Sequence, residues 1–110
     1  MKVVVYGIQA CERKFLATAN QKKHHITLIA NPLTEETMFY AAGKEAVIVT
    51  ANLPVSAKMA IQLTQMGISH LLTRALCTDE SEARVLQAMA TLVIGQLDEL
   101  ENNDEHHDPR

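Results

Sequence analysis

Arg74 is the side chain in this sequence best suited to bind an anion. It closes the short apolar run Ile68–Thr73, and a guanidinium can grip a carboxylate through two parallel hydrogen bonds. A structural use competes with that reading, an ion pair with Asp79 or Glu82. Two cysteines offer nucleophilic chemistry. Cys11 falls where the first helix is expected to start, a position that lowers a thiol pKa, and Cys77 falls just before the last helix. Neither has a base or a cradle of donors beside it in the sequence, so both read as small residues filling loops. A disulfide between them is not expected, because the strands that precede them are separated in the expected sheet by a third. With no CxxC and no partnered His spacing, the pair fits a reducing compartment and no metal framework. His24-His25 and His106-His107 are adjacent pairs whose rings point to different sides of an extended chain, which makes each pair a poor chelator and a surface feature. His70 lies inside an apolar run and reads as a partly buried, hydrogen-bonded residue.

Phosphate and cofactor chemistry is poorly represented. The four glycines, Gly7, Gly43, Gly67 and Gly95, are scattered singly and make no GxGxxG. A flavin phosphate loop needs a run of Ser, Thr and Gly donors after the first strand, where this chain has Gln9-Ala-Cys-Glu-Arg13. A phosphoacceptor site needs acids after the first and third strands, where it has Gly7-Ile8 and Thr50-Ala51. No cofactor is expected.

The elements that must position these residues follow from hydrophobic period. Continuous β-rich runs at 2–8, 26–30, 46–50 and 68–73 predict four strands. Between them, 11–23 carries Phe15, Leu16 and Ala19 at helical spacing, and a helix is expected from Thr34 to near Gly43. A third is expected over 57–66, capped by Ser56 and closed by Gly67. A long helix is predicted from Asp79 or Ser81 to about Glu101, with Val85, Leu86, Met89, Leu92, Val93, Leu97 and Leu100 recurring at spacings of 3 and 4. Strands alternating with helices imply a flavodoxin-like α/β fold: a doubly wound parallel sheet of four strands in order 2-1-3-4, helices on both faces, and a long C-terminal helix. Residues 1–101 form one unit and 102–110 an acidic, flexible tail.

Composition supports one small globular unit. The chain has 110 residues, 47% apolar and 21% charged, with 4% aromatics and no Trp, so its core must come from Val, Ile, Leu, Met and Ala. A net charge of −3 argues against a nucleic-acid partner, which would call for a basic field. No stretch approaches the ~20 apolar residues of a membrane span and no signal peptide is evident, so a cytoplasmic location is expected. Basic residues gather near the start (Lys2, Arg13, Lys14, Lys22, Lys23) and acids near the end (Asp98, Glu99, Glu101, Asp104, Glu105, Asp108). The two groups could attract each other, but solvated faces are the plainer expectation.

Several segments in order resemble one family. Met1-Lys-Val-Val-Val-Tyr-Gly-Ile8, Leu33-Thr-Glu-Glu-Thr37, the Asn52-Leu-Pro54 turn and Gly67-Ile-Ser-His-Leu-Leu-Thr-Arg74 followed by Thr78-Asp79 are similar to the substrate-binding domain of D-2-hydroxyacid dehydrogenases, of the D-lactate and vancomycin-resistance type. The resemblance covers about residues 1–79, and Ser81–Glu101 resembles the helix that returns to that domain from the nicotinamide-binding one. It implies that a small 2-hydroxy or 2-oxo acid would meet the backbone amides of Leu76 and Cys77, with Asn52 and Arg74 nearby. Cys77 stands where the family has Gly. The catalytic Arg, Glu and His of the family lie in the nicotinamide-binding part, so no catalytic residue is inherited here. The expectation is therefore a substrate-domain-like unit without dehydrogenase activity by itself. It would bind a small carboxylate or another chain, with a homodimer through the fourth strand or last helix as the expected assembly. The alternative is one half of a split NAD-dependent dehydrogenase that needs a separate nucleotide-binding subunit.

Overall fold

Runs of Val, Ile and Leu that can be buried on both faces form the middle of a parallel sheet. A computed structural model describes residues 1–50, 55–74 and 83–106, with 103–106 as backbone only. Its strands are β1 (Lys2–Tyr6), β2 (His25–Ile29), β3 (Ala46–Thr50) and β4 (His70–Arg74), all parallel, in the order β2-β1-β3-β4. This is the expected α/β architecture and strand order. Val3 to Tyr6 and the whole of β3 are buried, whereas β2 and β4, at the edges, are only partly so.

Strand alternation feeds two cores. Val3, Val5, Ala46 and Ile48 face Leu16 of α1 (Ala10–Asn20) and Ala90, Val93, Ile94 and Leu97 of α3 (Ala83–His106). Val4, Tyr6, Val47 and Val49 face the other way, against Leu63 of α2 (Ala57–Gln65), Ile68, and Met38 and Ala41 of a 3₁₀ turn (Met38–Ala41). Tyr6 adds a polar tie on that side, its hydroxyl donating to the Thr37 carbonyl at 2.8 Å. Burial, with Tyr40 nearby, pushes its pKa up to about 12, so the phenol stays a donor.

Three elements differ from expectation, each for a local reason. The helix predicted from Thr34 to Gly43 is instead a hydroxyl-linked turn followed by the 3₁₀ turn Met38–Ala41. The Thr34 amide donates to Thr37 Oγ1 (2.8 Å), and that hydroxyl donates to the Pro32 carbonyl (2.8 Å), which competes with α-helical pairing. The fourth strand starts at His70, not Ile68, because α2 ends in a left-handed cap. Gly67 has φ +97°, its amide donates to the Thr64 carbonyl and that of Ile68 to Leu63, leaving Ile68 pinned into the core as part of the cap. The last helix continues through Asn102 to His106, and its buried stripe is Leu86, Ala90, Val93, Ile94 and Leu97, while Val85 and Leu92 are exposed. The 3-and-4 spacing of leucines and valines had merged two faces of that helix. Among the described residues no helix is long and apolar enough to cross a membrane.

Candidate functional site

The carboxyl ends of β1, β3 and β4 are where an open parallel sheet offers a binding crevice. β1 leaves the sheet through Gly7, whose φ of +72° favours glycine, and the Gly7 and Ile8 amides donate to Asn31 and Ile29 carbonyls. This turn delivers Gln9 as the N-cap of α1 and Glu12 one turn in, where Glu12 Oε1 accepts the Gln9 amide at 3.0 Å. Glu12 Oε2 takes Nη1 of Arg74, and Nη2 of Arg74 donates to the Gly7 carbonyl at 3.0 Å. Arg74 therefore reaches over β3, which separates it from β1, and ties β4 to the start of α1.

That pair is sealed. Arg74 is 4% exposed and Glu12 6% exposed, and Leu86, Met89, Ala90 and Val93 of α3 close over them, leaving a gap of only about 10 Å³. Arg74 Nε is buried and, among the described residues, makes no hydrogen bond. Of the two uses foreseen for Arg74, the ion pair is what the geometry displays, with Glu12 as partner; Asp79 and Glu82 lie outside the described residues. A ligand carboxylate could reach the guanidinium only by displacing Glu12. Asn52, Leu76 and Cys77 also lie outside the described residues, so their convergence with Arg74 has no geometry to set beside it. On the opposite face of the same edge, Tyr6, Gly7, Leu33, Thr50 and Val55 enclose another gap of about 10 Å³. Cys11 occupies the first turn of α1, half-buried, and His70 is half-buried in β4, as the sequence suggests.

Sequence reasoning missed the role of Glu12. The signal was available: Gln9 followed three residues later by Glu at the start of a helix is a capping-box pattern, which places that carboxylate at the sheet edge. It also misplaced His24. α1 ends in two successive left-handed residues, Gln21 (φ 49°) and Lys22 (φ 62°), and the buried Asn20 side chain holds the resulting loop by bonding both the amide and the carbonyl of His24. The His24 ring, 1% exposed, is directed inward, with Nε2 2.7 Å from Asp98 Oδ1 and Nδ1 3.6 Å from Glu101 Oε2. Lys23 meets Asp98 at 2.9 Å, and the N-terminal ammonium meets Glu101 at 2.7 Å. So His24 is not a surface residue, and the basic and acidic groups near the chain ends do attract each other at this point. The carboxyl of Asp98 is held below the usual range by hydrogen bonds from Lys23 and His24, and that of Glu101 by one from the terminal ammonium. Among the described residues no group of three or more His, Cys, Asp or Glu side chains is disposed to hold a metal ion.

No protein-family model matches the sequence, and no curated protein matches it significantly. Solved structures do match. A Salmonella D-lactate dehydrogenase superposes with a TM-score of 0.63 at 23% identity over 82% of this chain and 28% of its own. The Escherichia coli D-lactate dehydrogenase gives 0.63 at 25% identity over 79% and 29%, and a D-2-hydroxyisocaproate dehydrogenase 0.62 at 21% over 83% and 28%. The chain thus spans under a third of the length of each of these three enzymes, and by fold it fits a fragment of a D-2-hydroxyacid dehydrogenase.

Proposed function

We propose that this chain is a substrate-domain-like unit of the D-2-hydroxyacid dehydrogenase kind that transfers no hydride on its own and acts by pairing with a second copy of itself along β4. The observation that carries the reading is the contrast between the two uses of β4. Its last residue, Arg74, is committed inward to Glu12, while Leu71 is 41% exposed at the sheet edge. Beside Leu71, Ala60 and Thr64 of α2 and Ser69 border a shallow groove of about 110 Å³, which accompanies an edge that no further strand covers among the described residues. A strand edge with an exposed Leu is a template for another strand, and a two-fold axis would set two β4 strands antiparallel, making one continuous sheet. β2, the other edge, offers less, since Ile26, Leu28 and Ile29 pack against the two cores.

Against hydride transfer by these residues alone stand the absence of GxGxxG and of any position matching the catalytic Arg, Glu and His of the family. Light scattering coupled to size exclusion is the test: the mass should rise toward twice that of one chain with concentration, and a constant single-chain mass would refute the pairing. In the same preparation NADH with pyruvate or 2-oxo-4-methylpentanoate should show no oxidation above a no-protein control. A second reading, the substrate half of a split dehydrogenase, is favoured by the NAD complexes among the matched structures. It requires a GxGxxG-bearing chain that co-purifies and restores NADH oxidation; if no such chain does so, the reading is lost.

A further inference from the structure

One opening lies away from both the sheet edge and the Arg74 pair. It is a groove of about 550 Å³ between α1 and α3, within the range of small-molecule sites. Phe15 and Ala19 of α1 and Ile94 and Gly95 of α3 give it apolar lining, interspersed with the polar Thr18, Gln87 and Thr91. We propose that this groove binds a small amphipathic monoanion, a carboxylate on an apolar body of phenyl or branched-chain size.

Two observations carry this. First, Gly95 sits inside a 24-residue helix, where glycine is less stable than alanine, yet neither backbone nor packing asks for it. Gly95 is absent from the positive-φ residues, and a Cβ built on it would meet no atom within 4 Å. Gly95 lines the groove without a side chain, so the space beside it is left open. Second, the charges lining the groove are unequally committed. At one end Asp98 is compensated by Lys23 at 2.9 Å and His24 at 2.7 Å. Toward the other, Lys14 lies 5.2 Å above the Phe15 ring and, among the described residues, pairs with no carboxylate. An apolar lining with one uncommitted ammonium suits a monoanion with an apolar body. Inorganic phosphate, doubly charged and without apolar surface, would need several donors converging on one point.

The test is an amide NMR titration of the full chain with 4-phenylbutyrate, its neutral counterpart 4-phenyl-1-butanol, and inorganic phosphate. The acid should shift the amides of Phe15, Ala19 and Gly95 with a dissociation constant of roughly millimolar order, as expected for a dozen heavy atoms on an open site. The alcohol should bind about three- to fivefold more weakly, the size of one exposed charge contact, and phosphate should leave these amides unmoved. Gly95→Leu, a good helix former that projects into the groove, should abolish the shifts, with far-ultraviolet circular dichroism reporting that the fold is kept. Lys14→Gln, on the exposed face of α1, should bring the acid down to the affinity of the alcohol. Absence of shifts at tens of millimolar acid, equal binding of acid and alcohol, or shifts elsewhere that survive Gly95→Leu would each overturn the proposal.

Discussion

The two ends of the sheet each carry a cluster that ties a helix to the strands, and they do it by opposite means. At the carboxyl end Arg74 and Glu12 form one pair sealed under α3, with side chains 2% and 8% exposed. At the amino end Lys23, His24, Asp98, Glu101 and the terminal ammonium share several contacts, but both carboxylates are about two-fifths exposed. A sealed pair contributes little over an apolar isostere and yet is very costly to break on one side, because the survivor is left as a buried charge. In a wet cluster the exposed charges are screened, and each of those is lost cheaply. The comparison teaches that Arg74, for which the sequence offers both an ion pair and an anion site, is held by an ion pair that fastens β4 to α1.

The largest effect should come from breaking the sealed pair on one side. Arg74→Met alone is expected to destabilise the chain by about 3–5 kcal/mol in urea denaturation, and Glu12→Leu with Arg74→Met together should recover most of that loss. Recovery would mark a fastener; a double variant no better than the single would mean that the pair does more than neutralise itself. At the amino end His24→Ala should cost about 2 kcal/mol, because the ring is buried and its loss leaves a gap. Lys23→Gln should cost less than about 1 kcal/mol and nothing measurable in ~1 M NaCl, since its partner is exposed.

The smallest effect is in pH. Asp98 and Glu101 have carboxyl pKa values below the ordinary range, so their stabilisation is fully present above the unfolded values near ~4 and is lost as pH falls through the lower folded ones. Melting temperatures taken downward from pH 6 should fall in that acid window, and by less in Lys23→Gln than in the parent.

Much of the fold was legible because the pattern is local. Val3–Val5 and Ala46–Thr50 are buried on both sides and read as central strands, and Ser56 caps α2 as its type suggests, accepting the Met59 amide at 3.2 Å. Errors arose where a tertiary contact decided. His24 turns inward because Asn20 grips its backbone and α3 brings Asp98 alongside, a contact between residues 74 apart that periodicity cannot reveal. Arg74 pairs with a carboxylate 62 residues away on α1, a partner that no local pattern around Arg74 names. The turn at Thr34–Thr37 was misread as a helix start because the same hydroxyls that cap a helix can also close a turn.

Pairing through β4 is the claim on which the functional reading rests, and hydrogen exchange tests it residue by residue. Amides of β4 that point away from β3 should exchange quickly in dilute protein and slow as concentration rises, and Leu71→Lys should remove that dependence while leaving β1 and β3 as protected as before. Exchange of those β4 amides that stays fast at every concentration in the parent chain would contradict the account.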